Sequence, residues 1–268
     1  MNWLDAILLG LIEGITEFLP ISSTGHLILT RSLLGLEGDA VERQLIIIQG
    51  AAILAVCWEY RQRLMETATR FFFEVPARRF VLNLFVAFLP LAILGLLFED
   101  AIESALFAPI PVAIALIVGG IVILWAEARK HNESITSVDD MGPLDALKIG
   151  LFQALALMPG TSRSAATIIG GLFIGMQRRA ATEFSFFIAI PTLLAATAYK
   201  LWQARDSLTS AELQPLAISS VVAFISALFA VRFLLRFVGR HSFAVFAWYR
   251  IAFGVVILVT AWTGLVNW

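Results

Sequence analysis

Apolar residues run along this chain in long blocks rather than in one-sided stripes. Six blocks, at residues 42–60, 80–99, 110–127, 183–202, 215–235 and 243–266, are long enough to cross a bilayer as helices of about 20 residues. None keeps the polar face that a water-exposed helix requires. Trp58, Tyr60, Trp125, Tyr199, Trp202 and Trp262 close several of them, as aromatics do at headgroup depth. Two further apolar blocks are interrupted. The block over 3–36 is broken by Pro20-Ile21-Ser22-Ser23-Thr24-Gly25-His26, and the block over 143–176 by Pro159-Gly160-Thr161-Ser162-Arg163-Ser164. Proline stops the incoming helix, and the small polar residues cap the next one. The arms are too short to span, so each block predicts a re-entrant hairpin that enters and leaves on one side. Irregular backbone at that depth must be buried in protein or line a wet cavity.

The two hairpins resemble each other. Gly10-Leu11-Ile12-Glu13 aligns with Gly150-Leu151-Phe152-Gln153, and Leu19-Pro20 with Met158-Pro159, which sets Ser23 opposite Ser162. Each hairpin precedes three spans, so the chain divides into repeats at about 1–128 and 143–268, joined by a linker over 129–142. A hairpin adds no net crossing and three spans add an odd number, so the second repeat is expected upside-down relative to the first. The predicted fold is an all-α integral membrane domain of two inverted-topology repeats. Basic residues orient it. One set of loops gathers Arg61, Arg63, Arg70, Arg78, Arg79, Arg129, Lys130, Lys148, Arg178, Arg179, Arg232, Arg236 and Arg240. The other set holds Arg31, Arg43, Lys200 and Arg205. The positive-inside rule then predicts both termini outside and the linker in the cytoplasm, with the hairpins in opposite leaflets. Gly119-Gly120 and Gly170-Gly171 permit close helix contacts, within one chain or in a homodimer.

Composition narrows the class. The chain is 59% apolar and 15% charged, with a mean hydropathy of +0.86, against about 25% charged in a soluble domain. Soluble, disordered and collagen-like classes are excluded. A net charge of −1 without a basic stripe gives no footprint for nucleic acid. Cys57, the single cysteine, excludes a disulfide framework and a thiolate metal cluster. The first basic residue is Arg31, so the positive head of a cleavable signal peptide is missing.

Ionisable side chains inside a membrane cost several kcal/mol and need a partner or a purpose. Glu13 and Glu17 lie one turn apart on a helix expected over 5–19, where like charges repel. They read as a cation site, a proton-transfer pair or both, or as a pair sharing one proton. Ser22, Ser23 and Thr24 exceed the single hydroxyl that a helix cap needs. His26 follows in the first turn, where an imidazole can move a proton or simply hydrogen-bond. Arg163 cannot lose its proton, so an anion must be near. Gly160, Ser162, Ser164 and Thr167 surround it with hydroxyls and N–H groups at a helix start, a recipe for binding phosphate or diphosphate. Pairing with Glu13 or Glu17 across the repeats is the other reading. Gln49 and Gln153 either line the cavity or bond between helices. Glu183 follows Thr182 at an expected helix start, and Arg250 either holds an anion or neutralises a buried Glu.

The segment from Glu13 through Leu19-Pro20-Ile21-Ser22-Ser23-Thr24-Gly25-His26 resembles the first signature of the undecaprenyl-pyrophosphate phosphatases of the bacitracin-resistance type. Pro159 through Thr167 resembles the second, and Glu183-Phe184-Ser185-Phe186 also fits. The resemblance covers essentially the whole chain. It implies a phosphatase of the bacterial cytoplasmic membrane that opens to the outer face. Such an enzyme converts undecaprenyl diphosphate to undecaprenyl phosphate, recycling the carrier lipid for peptidoglycan synthesis, and uses a divalent cation such as Mg²⁺ or Ca²⁺. Carried over by motif, the functional positions are Glu13, Glu17, Ser22, Ser23, His26, Ser162, Arg163, Ser164 and Thr167. Two carboxylates plus substrate oxygens suffice for Mg²⁺. Attack by Ser23 with His26 or a Glu as base, or by water activated at Glu17, are both open. A secondary transporter or a flippase for the lipid phosphate is the rival reading, because broken helices in inverted repeats are common there.

Overall fold

The computed structural model describes residues 1–36, 38–130, 132–205 and 209–266. The order is α1 (Trp3–Thr16), α2 (Ser23–Leu33), α3 (Asp39–Glu59), α4 (Arg61–Arg70), α5 (Val75–Leu106), α6 (Pro109–Ala128), α7 (Pro143–Ala154), α8 (Arg163–Phe173), α9 (Arg178–Ala204), α10 (Ser210–Val238) and α11 (Ala244–Thr263). Six of these, α3, α5, α6, α9, α10 and α11, are long and apolar enough to cross a membrane. The sequence locates all six, with ends that differ by a few residues. Capping explains several of the starts. The Asn2 side chain accepts from Asp5 N at 2.9 Å, Asp5 accepts in return from Asn2 N at 3.0 Å, and Pro143 opens α7 where its missing N–H costs nothing.

Five helices stay short, and four of them form two pairs. α1 and α2 pack together, as do α7 and α8. The first helix of each pair also lies along a long helix from the other part of the chain, α1 on α10 and α7 on α5. Matching glycines permit both approaches. A Cβ on Gly10 would strike the Ser219 carbonyl of α10, and one on Gly150 would sit 2.5 Å from the Ala87 carbonyl of α5. α6 packs on α11, and α3 on both α9 and α10. The α3–α10 seam is closed by Arg43–Glu212 at 3.1 Å, Gln44–Ser219 at 2.9 Å and Arg232–Glu59 at 2.7 Å. The corresponding pair α5 and α9 touches over a shorter stretch, and the space left there forms a cavity that reaches the two tips.

Three details differ from the sequence reading. α1 ends at Thr16 rather than 19, with Glu17 as its cap, so the turn before Pro20 is already irregular. Its Glu17 N–H still reaches the Glu13 carbonyl at 2.9 Å, which preserves the one-turn spacing. α9 begins at Arg178, which puts Glu183 in the second turn rather than at the helix start. The cause is the linker: Ile135 bridges Met176, and Gln177 N donates to the Ile135 carbonyl at 2.9 Å, fixing the backbone just before α9. α4 is an additional helix beyond a break at Tyr60, polar and amphipathic, with Arg61 over the Trp58 ring. The glycine pairs serve contacts within the chain. Gly120 faces the Ala247 carbonyl, Gly119 faces Arg250, Gly170 faces Phe152 and Gly171 faces Ala181.

Candidate active site

Each short-helix pair is joined through a serine in a backbone conformation that side chains rarely adopt. Ser22 has φ 71° and ψ 99°, and Ser162 has φ 70° and ψ 115°. They are the two positive-φ residues other than glycine among the described residues. Such a conformation costs about 1–3 kcal/mol, so the surroundings must hold it. Each hydroxyl caps the helix that follows, accepting from Gly25 N at 3.5 Å and from Ala165 N at 3.2 Å. The backbone therefore matches Ser22, not Ser23, to Ser162. The extra residue that the sequence alignment needs between Glu13 and Pro20 disappears, because the structure keeps one register from Gly10 and Gly150 onward.

In that register Ser23 and Arg163 are equivalents, each the first residue of its helix, and both reach Glu17. Ser23 Oγ donates to Glu17 Oε2 at 2.6 Å. Arg163 donates to Glu17 Oε1 from Nη2 at 3.2 Å and from Nε at 3.4 Å, and its Nη1 reaches the Ser185 carbonyl at 3.0 Å. The Arg163 and Glu17 side chains are 8% and 7% exposed. They border a cavity of about 550 Å³ lined also by Ser22, Thr24, Gly160, Ser162 and Gln49, with apolar walls from α5 and α9 such as Leu91 and Leu193. Tyr199 and Lys200 share that lining.

The other predicted residues stand behind this wall. Ser164 Oγ donates to the Leu19 carbonyl at 2.9 Å, joining one tip to the other. Thr167 Oγ1 bonds Ser185 Oγ at 2.7 Å beneath Arg163. Glu13 is fully buried with neither carboxylate oxygen hydrogen-bonded, and it does not line the cavity. Both ring nitrogens of His26 are engaged by partners other than Ser23. Its Nδ1 lies 2.7 Å from the Ser22 carbonyl and its Nε2 lies 2.7 Å from Tyr249 Oη, with the ring stacked on Phe253 at 4.2 Å. A ring nitrogen facing a carbonyl carries the hydrogen, so Nδ1–H donates to Ser22 and Nε2 accepts from the tyrosine. Gln153 bonds between helices, donating to the Ala87 carbonyl and accepting from Thr192, each at 3.3 Å. Glu183 pairs with Arg179 at 3.0 Å on its own helix. Arg250 meets neither an anion nor a glutamate, since its donors go to backbone carbonyls.

Sequence reasoning missed Tyr249 and the bracing role of Ser185. A tyrosine within an apolar span seeks a partner for its hydroxyl, and that was the available signal for Tyr249. No group of three or more His, Cys, Asp or Glu side chains converges to hold a metal among the described residues. Glu13 and Glu17, one turn apart, are the two carboxylates that α1 carries to this tip. The unpartnered carboxylate of Glu13 is of the kind that a hard cation or a proton satisfies.

The family model described as Bacitracin resistance protein BacA matches residues 6–256, a stretch that contains both tips, Glu17 and Arg250. The chain belongs to the BacA family. Its relatives agree over full length. The Undecaprenyl-diphosphatase of Nitrosospira multiformis is 57% identical over 100% of this chain and 99% of its own. The Undecaprenyl-diphosphatase 2 of Rhodospirillum rubrum is 58% identical, covering 99% and 97%, and the Undecaprenyl-diphosphatase of Ectopseudomonas mendocina is 56% identical, covering 98% and 96%.

Proposed function

We propose that this chain is an undecaprenyl-diphosphate phosphatase, releasing inorganic phosphate and returning undecaprenyl phosphate to the carrier pool for peptidoglycan synthesis, with bacitracin resistance as a consequence. The observation that carries the proposal is Glu17 held between Ser23 of one tip and Arg163 of the other at the border of an apolar cavity. Names of the full-length relatives give the substrate its identity. The cavity supports a position for it in this reading, with the apolar tail between α5 and α9 and the diphosphate against the tips.

In this reading Ser23 Oγ attacks the terminal phosphorus while its proton passes to Glu17 Oε2, already 2.6 Å away. The bond from phosphorus to the bridging oxygen breaks, undecaprenyl phosphate leaves, and water later hydrolyses the phosphoserine. Glu17 rather than His26 takes this role in the reading proposed, since both ring nitrogens of His26 are engaged, Nδ1 by the Ser22 carbonyl and Nε2 by Tyr249. Arg163 turns from Glu17 to the incoming phosphate, exchanging one anion for another, and its fork neutralises charge that grows in the transition state. Ser22, Thr24, Gly160 and Ser162 offer the remaining polar contacts. Glu13 and Glu17 are the residues that would hold Mg²⁺ or Ca²⁺, which when bound supplies further charge neutralisation to phosphate oxygens.

We further propose that the two short-helix pairs are re-entrant hairpins of two inverted repeats in the bacterial cytoplasmic membrane, with both termini outside and the site open to the outer face. The crossed packing of α1 on α10 and α7 on α5, with its matched glycines, supports the repeat relation. The test is phosphate release from undecaprenyl diphosphate by purified protein in detergent, with and without chelator. Turnover without any membrane gradient is expected, lost on chelation and regained with Mg²⁺. A protein that binds the lipid yet releases no phosphate would leave the transporter reading in its place.

A further inference from the structure

Arg250 lies on α11 with none of its surface exposed. A guanidinium cannot shed its proton, so at membrane depth its N–H groups must all find acceptors. What it finds is backbone. Nη1 donates to the Pro20 carbonyl at 3.3 Å and Nη2 to the Gly160 carbonyl at 3.0 Å. Nε donates to the Leu116 carbonyl at 3.3 Å, and Nη2 also reaches the Ala115 carbonyl at 3.2 Å. α6 makes room for the group at Gly119, where a Cβ would collide with it. Arg250 does not line the cavity, which separates it from any direct hold on substrate.

Pro20 and Gly160 are equivalents in the register that matches Ser22 to Ser162. One planar fork therefore grips the same carbonyl in each tip. Two residues past each gripped carbonyl stands the strained serine, and one residue further stand Ser23 and Arg163, the two partners of Glu17. We infer that Arg250 is a positioning residue: it locks the two tips to each other and to α6, and so sets Ser23 and Arg163 at their distances from the phosphate. The inference rests on the reading of the Glu17 site given above. A lysine cannot replace the fork, since a single ammonium cannot reach carbonyls on two tips and on α6 together.

The experiment measures kcat, KM and the detergent melting temperature for Arg250→Lys, Arg250→Met, Gly119→Ala, Arg163→Lys and the double variant Arg163→Lys/Arg250→Met. Gly119→Ala keeps the cation but presses on it, and it carries the decision if Arg250→Met fails to fold. Both Arg250 variants are expected to lose about 100-fold in kcat with KM nearly unchanged, because a small misplacement of reacting groups costs that much. Gly119→Ala should lose about tenfold by the same route. The double variant should fall well short of the product of its two single losses, as residues acting on one geometry do. Folded Arg250→Lys and Gly119→Ala proteins with kcat near wild type overturn the inference, as does a fully multiplicative double variant. If Arg163→Lys itself hydrolyses at the normal rate, the site reading fails first and the lock falls with it.

Discussion

Glu17 accepts from two partners at once, Ser23 and Arg163, and single substitutions can separate the nucleophilic and phosphate-binding duties proposed for them. Ser23→Ala removes the attacking oxygen and leaves Glu17 and Arg163 paired, so phosphate release should drop by at least about 1000-fold without a change in substrate binding. Rapid-quench work with terminally labelled undecaprenyl diphosphate checks the step itself. Label on Ser23 within the first turnover is expected, and its absence at every time point would transfer the attack to water. Arg163→Lys should lose about 100-fold, because the point charge cannot both span Glu17 or phosphate and hold the Ser185 carbonyl. Glu13→Gln is the informative partner experiment. Its carboxylate has no hydrogen-bond partner, so a cation role predicts a rise in the Mg²⁺ needed for half-maximal rate, with recovery at saturation. A rate equal to wild type at all Mg²⁺ concentrations would remove Glu13 from the cation site.

At the scale of elements, fit between backbones sets the tips. Gly150→Ala would place a methyl 2.5 Å from the Ala87 carbonyl and 2.9 Å from its Cα, with helix backbone on the far side and nothing flexible to yield. Overpacking of that kind costs about 1–3 kcal/mol, so the detergent melting temperature should fall by several degrees. Gly239→Ala, whose nearest neighbour is 3.7 Å away, should leave it unchanged and serves as the control. Equal melting temperatures for the two variants would mean that α7 does not ride on α5 as described. These elements also mark what the sequence could and could not disclose. Long apolar blocks and proline–serine breaks are local signals, and they located the six long helices and both tips. Glu13, Glu17 and Arg163 stand out in the sequence because charge within an apolar block is costly, and the structure brings two of them, Glu17 and Arg163, together. The register of the tips was not legible, since it depends on two positive-φ serines that composition does not reveal. The placement of His26 was hidden for a related reason: its partner Tyr249 is 223 residues away, and no spacing rule reaches so far. Glu183 was misplaced at a helix start because the bridge between Ile135 and Met176, a tertiary contact, begins α9 early.

For the whole molecule the decisive quantity is length. α7 has 12 residues and α8 has 11, so at about 1.5 Å per residue neither covers the ~30 Å hydrocarbon core. End to end they would make a single broken span, whereas folded back they would form a hairpin whose tip stops near the middle. The two arrangements differ in parity. A broken span plus α9 returns the chain to the side it started from, while a hairpin plus α9 leaves it on the opposite side. α7 and α8 pack against each other, which a collinear pair cannot do, and the arginine-rich side of the chain agrees with the hairpin. Single cysteines introduced as Lys130→Cys and Arg205→Cys, both at exposed positions, with Cys57→Ser to remove background, read the parity directly. In intact cells an impermeant maleimide should label position 205 and reach position 130 only after permeabilisation. Labelling of both from one side would make the second tip part of a continuous crossing. A tip on a continuous crossing has no reason to end where Arg163 meets Glu17, so the same measurement bears on the chemistry as well as on the topology.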